Sequence, residues 1–188
     1  MTTHSMADLV DALRGLGSEL EPSRVAATLR AVRVDDRSLQ PYLTFVPGRY
    51  TRNLVARTPA FELIAICWDR DACSAIHDHA ESDCAFVLQQ GAIACENWQI
   101  TSGGECEGPC ELARVGSSAL RAGDIDQRSG HLSLHRVGAA GGPAISLHVY
   151  SRPIESFFLF EESGRCRRVT ARYDTVPAAA AAARNYLP

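Results

Sequence analysis

No apolar run in this chain approaches the length needed to span a bilayer, so no transmembrane helix is expected. The first residues, Met1 to Met6, lack the basic and then apolar order of a secretory signal, which leaves the cytoplasm as the expected compartment. Positive charge is not in excess. Nineteen Lys and Arg against 22 Asp and Glu give a formal net charge of −3, without the basic face and high pI of a nucleic-acid binder. Cys-x-x-Cys is absent, as are internal repeats and any linker long enough to divide the chain. What remains, 188 residues with 46% hydrophobic and 22% charged, has the composition of a soluble globular domain with a core of its own.

Cysteine, by contrast, is plentiful, with seven at positions 67, 73, 84, 95, 106, 110 and 166. The number is odd and the chain is too long to need disulfide stapling, so in a reducing compartment most are expected to be buried small apolar side chains. Cys67, inside Leu63-Ile64-Ala65-Ile66-Cys67-Trp68, fits that reading. Cys106 and Cys110 lie in a Gly-rich stretch where a labile bond or weak metal site is the alternative.

The first forty residues read as helical: Met6, Leu9, Val10 and Leu13 recur at helical spacing after a capping Ser5. A second helix starts near Pro22-Ser23, with Val25, Ala26, Leu29 and Val32 as its apolar stripe. From Tyr42 the texture changes to short β-branched and aromatic runs between Gly, Pro and Asp clusters. These runs cover 61–68, 74–78, 84–89, 92–100, 119–120, 132–137, 145–150 and 157–160. Such spacing predicts a mainly β barrel or sandwich. Residues 101–110 read as a loop, and the tail after Thr175-Val176-Pro177, with six alanines, as a helix or a frayed end. The expected organisation is a helical segment over 1–40 packed on a barrel over 41–170, followed by an Ala-rich tail over 171–188.

Chemistry concentrates in Ile76-His77-Asp78-His79-Ala80-Glu81-Ser82-Asp83-Cys84, followed by Gly91. Residues two apart on a strand share a face, so the imidazoles of His77 and His79 can reach one ion. A third histidine lies in Leu134-His135-Arg136-Val137. Then comes Ile145-Ser146-Leu147-His148-Val149-Tyr150, whose polar set alternates with an apolar one. That alternation fits a strand between core and solvent, and equally a polar barrel interior. His4 and His131 have no such company and read as exposed or structural. Three neutral imidazoles hold a divalent metal, leave adjacent positions open and keep a net positive charge that favours an anionic ligand such as a thiolate. Fe(II) would bring oxygen chemistry; Zn(II) suits three histidines as well.

The spacing of His77, His79 and Gly91 matches the first motif of the cupins, with Cys84 where its glutamate stands and Asp71 in place of its leading glycine. The second motif keeps His135, but Ala139 replaces its asparagine, and its glycine and proline are lost. Together with Tyr50-Thr51-Arg52-Asn53-Leu54-Val55, Ile66-Cys67-Trp68, Ser82-x-Cys84 and Ser146-Leu147-His148-Val149-Tyr150-Ser151, the chain resembles the cysteine dioxygenases, arginine-type thiol dioxygenases of the cupin superfamily. The likeness spans roughly residues 40–155.

The resemblance implies a cupin barrel and Fe(II) held by His77, His79 and His135. L-Cysteine would bind through thiolate and amine, its carboxylate on Arg52 with support from Tyr50, and O2 would convert it to cysteine sulfinate. Tyr150 would present its hydroxyl to the substrate, oriented by His148 with Ser146 behind, and Cys84 and Tyr150 would form a thioether crosslink. The resemblance also implies a small-molecule thiol and O2 as partners, and a monomer. Two departures stand out. Ser151-Arg152-Pro153 replaces the usual Ser-Pro-Pro with its cis proline, and Val137-Gly138-Ala139 replaces Val-Glu-Asn, removing a polar group behind the third ligand. Two alternatives stay open: a cysteine-oxidising cupin of a specialised biosynthetic pathway with another sulfur product, and a metal-binding cupin without turnover.

Overall fold

The computed structural model describes residues 3–129 and 133–177. Ser5 caps α1 (Met6–Gly15) reciprocally: its hydroxyl accepts from Asp8 N–H at 3.2 Å, and the Asp8 carboxylate accepts from Ser5 N–H at 2.8 Å. α2 (Pro22–Ala31) opens on proline, which lacks an N–H that the first turn would leave unpaired anyway. Asp35 caps the single turn α3 (Asp36–Leu39) by accepting from Ser38 N–H at 2.9 Å. Leu9, Leu13 and Leu29 turn inward and are buried, each contributing about 2 kcal/mol by leaving water.

Among the described residues eleven strands follow: β1 (Tyr50–Arg57), β2 (Glu62–Trp68), β3 (Ile76–His77), β4 (Asp83–Gln90), β5 (Ala92–Gly103), β6 (Gly108–Arg121), β7 (Ile125–Arg128), β8 (Leu134–Ala139), β9 (Ala144–Ser151), β10 (Ser156–Glu161) and β11 (Arg165–Thr170). β1, β2, β9, β4 and β7 form one antiparallel sheet in that order. The other strands run β10-β11-β6-β5-β8-β3 and close where β3 pairs with β10. The protein is mainly β, a cupin-type barrel carrying N-terminal helices.

The central strands of the first sheet, β2, β9 and most of β4, are buried on both faces, which explains why they are largely apolar. Leu63, Ala65, Ala85, Val87, Leu147 and Val149 pack under the helices. Ile64, Ile66, Trp68, Cys84, Phe86, Leu88 and Tyr150 point the other way. Ser146 and His148 share that second face with Tyr150, so the β9 alternation separates a helix-covered core from a polar barrel interior, and neither face meets solvent.

Several elements differ from the sequence reading. The 101–110 stretch is mostly strand, because β5 runs to Gly103 and β6 resumes at Gly108; the run at 119–120 is the end of that long strand. β1, β7 and β11 have no counterpart among the expected runs. They carry Arg52, Arg57, Asp126, Arg128, Arg165, Arg167 and Arg168, and such charges mask a strand pattern. The alanine run and His131 lie outside the described residues. No helix among the described residues is long and apolar enough to cross a membrane.

Gly91 is required by its surroundings: at φ +80° a Cβ there would stand 2.5 Å from the carbonyl oxygen of Pro143. Asp71, in place of the motif's leading glycine, adopts φ +62°, the left-handed conformation that Asp tolerates better than most residues.

Candidate metal centre

His77 ends β3 and pairs directly with His135 on β8, so the ladder itself sets these two rings side by side with centroids 4.6 Å apart. β3 stops at His77, and His79 follows two residues beyond it, just ahead of the left-handed Ala80 at φ +52°. Nε2 of His79 lies 3.1 Å from Nε2 of His135. One ligand atom from each of the three residues falls within 4.8 Å of the others.

Proton positions follow from the neighbours. Nδ1 of His77 lies 3.0 Å from the Ala75 carbonyl, which can only accept, so that nitrogen carries the proton and Nε2 keeps a lone pair. Nδ1 of His135 faces the sulfur of Cys95 at 3.5 Å. Burial holds His77 down to about 4 and holds His79 and His135 well below the ordinary imidazole range. The three rings are therefore neutral at physiological pH. Convergent, dry and unprotonated donors fit a divalent transition metal.

Behind His135 stands a group that sequence reasoning did not find. Arg128 donates to Cys95 sulfur at 3.0 Å and to Asp126 at 2.7 Å, while the same sulfur faces His135. The polar partner lost with the Val137-Gly138-Ala139 segment thus has a replacement supplied by β5 and β7. Burial pushes the Cys95 thiol up to about 11, against the pull of Arg128. An isolated cysteine and an Arg thirty-odd positions downstream carry no joint signal until β5, β7 and β8 are placed.

The opposite wall comes from β9. Trp68 Nε1 donates to the Ser146 hydroxyl at 2.9 Å, and that hydroxyl lies 2.8 Å from His148 Nε2. Since Ser146 oxygen accepts from Trp68, its own proton goes to Nε2, which leaves the proton of His148 on Nδ1. Nδ1 then points at the Tyr150 oxygen across a long 3.5 Å contact. The Tyr150 hydroxyl proton is left for the site. Phe86 stacks on His148 with centroids 4.4 Å apart, fixing the ring. Burial, then the nearby Cys84, holds the Tyr150 phenol well above its usual range, and burial raises the Cys84 thiol as well.

Arg52, on β1, is mostly buried, with its side chain 14% exposed. Its Nε and Nη2, the edge that grips a carboxylate side-on, have no hydrogen-bond partner. The guanidinium carbon lies 5.9 Å from the Tyr150 ring centroid and 6.0 Å from that of Phe157. Tyr50 sits beside it, its ring 5.0 Å from Trp68. Tyr50, Arg52, His77, His135, His148 and Tyr150 all line one cavity of about 20 Å³, while a wider cleft of about 550 Å³ lies outside; Phe157 lines both. Arg152 belongs to the outer cleft, three-quarters exposed and 3.8 Å from Glu81, with φ at +99°. The departure from Ser-Pro-Pro thus appears as a left-handed residue, held where Ser82 Oγ donates to its carbonyl at 2.8 Å.

Fold and site together define a cupin-type barrel whose three-histidine cluster could hold a metal ion. The family model for cysteine dioxygenase type I matches residues 1–163. Cysteine dioxygenase type 1 of Rattus norvegicus is 30% identical over 177 residues, covering 90% of this chain and 86% of that protein, and the Homo sapiens enzyme gives the same figures. A solved structure from Klebsiella pneumoniae subsp. pneumoniae, described as an uncharacterized conserved protein with a double-stranded beta-helix domain, shares the fold. Its TM-score is 0.50 and its identity 19%, covering 66% of this chain and 95% of that one. The chain belongs to the cysteine dioxygenase type I family. It is an oxygen-dependent thiol dioxygenase, which disposes of the reading without turnover, and the family is one of non-haem iron enzymes.

Proposed function

We propose that this enzyme oxidises L-cysteine with O2 to cysteine sulfinate at Fe(II) held by His77, His79 and His135. One observation carries the substrate assignment: Nε and Nη2 of Arg52 are buried without a hydrogen-bond partner, on a residue that lines the cavity shared with His77, His135 and Tyr150. A buried cation with two idle donors calls for an anion with two acceptor oxygens, and a carboxylate matches that geometry. Tyr50 adds a phenol on the same side of the cavity.

When bound, Fe(II) supplies the redox chemistry that joins a thiolate to O2. The protein's own groups do the rest. Arg52 fixes the carboxylate end and so places the sulfur, removing much of the entropic cost of alignment. Tyr150, oriented through His148, Ser146 and Trp68, holds a hydroxyl proton at the reacting end of the cavity. The enclosed, largely apolar walls exclude bulk water. Both oxygen atoms of O2 go to sulfur, so the thiol becomes a sulfinic acid and no further reductant is needed. Cys84 we assign to a thioether with the Tyr150 ring; forming that C–S bond removes one hydrogen from each residue, with O2 as the acceptor.

We read 41–170 as the catalytic barrel of a cytoplasmic monomer and 1–40 as its helical cover. Oxygen uptake by Fe(II)-loaded protein across L-cysteine, cysteamine, 3-mercaptopropionate and homocysteine tests the assignment. L-Cysteine should be the preferred thiol, and its product should carry both oxygens. A different sulfur product from L-cysteine would instead favour a specialised pathway.

A further inference from the structure

Glu62 opens β2 and is wholly buried. A carboxylate there is costly unless compensated. Its Oε2 accepts from the Tyr173 hydroxyl and lies 3.4 Å from Arg57 Nη1. Arg57 Nη1 in turn donates to the Tyr173 oxygen at 2.6 Å, and its Nη2 pairs with Glu155. The other oxygen, Oε1, has no hydrogen bond and stands 3.8 Å from Arg52 Nη2. Glu62 therefore balances the charge of Arg52 without capping its donors. A closer, bidentate Glu62 would consume the edge; no Glu62 would leave the buried guanidinium free to swing toward other acceptors.

Tyr173 is itself pinned to the Arg52 strand. Asp174 accepts from Arg52 N–H at 2.8 Å through its carboxylate and donates its own N–H to the Arg52 carbonyl at 2.8 Å. Leu54 N–H donates to the Thr175 carbonyl at 3.0 Å, and Thr175 Oγ1 donates to Asn53 Oδ1 at 2.9 Å. The segment after β11 thus lies along β1 and delivers one hydroxyl to Glu62.

We propose that Glu62, held by Tyr173 and Arg57, is the built-in counter-ion that positions Arg52 and keeps its Nε–Nη2 edge open for the substrate carboxylate. This rests on the reading of Arg52 as the carboxylate clamp. Glu62 is a positioning residue, and Tyr173 ties it to the C-terminal segment.

The test is equilibrium binding of L-cysteine and of cysteamine, which lacks the carboxylate, to Fe(II)-loaded enzyme without oxygen. Glu62→Gln keeps the size and an acceptor for Tyr173 but removes the charge. It should weaken L-cysteine about tenfold, as loss of a charged hydrogen-bonding arrangement does, and leave cysteamine nearly unchanged. In an Arg52→Gln background the same change should add nothing. Tyr173→Phe should act in the same direction, less strongly, and serves where Glu62→Gln does not fold. Equal weakening of both thiols, tighter L-cysteine binding, or a full effect in the Arg52→Gln background would overturn the proposal. If Arg52→Gln abolishes discrimination between the two thiols while Glu62→Gln preserves it, Glu62 alone is misassigned. If Arg52→Gln also preserves it, the clamp itself is wrong and this proposal falls with it.

Discussion

Cys84 stands directly opposite Tyr150 in the ladder between β4 and β9, and both side chains are buried. Residues paired across an antiparallel ladder have Cβ atoms roughly 5 Å apart, which sets the thiol beside the phenol on one face of the sheet. Peptide mass mapping of enzyme that has turned over should show the two peptides joined, lighter than their sum by two hydrogens. Cys84→Ser should abolish the joined species and slow turnover less than Tyr150→Phe. Loss of the hydroxyl in Tyr150→Phe should cost about a hundredfold in kcat, within the range of a positioned proton donor. Separate peptides in active enzyme would contradict the crosslink.

Cys95 links His135 to Arg128, and ligand orientation depends on such partners. Cys95→Ala should weaken metal binding by about tenfold to a hundredfold, measured by competition with a chelator. Cys95→Ser, which keeps an acceptor for the His135 N–H, should restore part of the loss. Unchanged affinity in Cys95→Ala would show that His135 needs no support from this side.

How far the sequence revealed this site depends on the kind of relation involved. His77, His79, His135, Ser146, His148 and Tyr150 were legible because the motif spacings and the β9 alternation are local patterns. β3 itself ends at His77, and His79, two residues beyond it, joins the same cluster. Cys95, Arg128, Asp126, Glu62 and Tyr173 were not legible. Apart from the local Asp126–Arg128 pair, their contacts join segments far apart in sequence, as when Tyr173 reaches Glu62 from beyond the last strand. The helices follow from capping and apolar spacing, which are local as well. In β1, β7 and β11 the arginines and aspartates resemble loop composition, and pairing partners that only the folded chain supplies make them strands.

His79, His135 and His148 are buried and His77 is half-buried, and all four have their affinity for protons lowered, His77 to about 4. The unfolded chain binds protons near the ordinary imidazole value of 6.5, so between these limits it takes up more protons than the native state. Native stability should therefore be full above about pH 6.5 and fall as pH drops toward 4. Glu62, with its affinity for protons raised by burial, acts in the opposite sense, one group against four. Urea midpoints of metal-free protein at several pH values in that window measure the effect; a flat profile would mean that the imidazoles are not buried as neutral rings.

Gly91 combines φ +80° with a position where a Cβ meets the Pro143 carbonyl at 2.5 Å. Gly91→Ala should cost about 1–3 kcal/mol, read as a lowered thermal midpoint. Wild-type stability in that variant would show that the β4–β5 turn relaxes freely.

The most direct test of the central claim, a thiol dioxygenase whose clamp selects a carboxylate-bearing thiol, is oxygen consumption with product mass for wild-type and Arg52→Gln enzyme loaded with Fe(II). The account predicts uptake with L-cysteine, a product heavier by both atoms of O2, and a selective loss of L-cysteine use in Arg52→Gln. Equal use of L-cysteine and cysteamine by both proteins, or no uptake with any thiol, would contradict it.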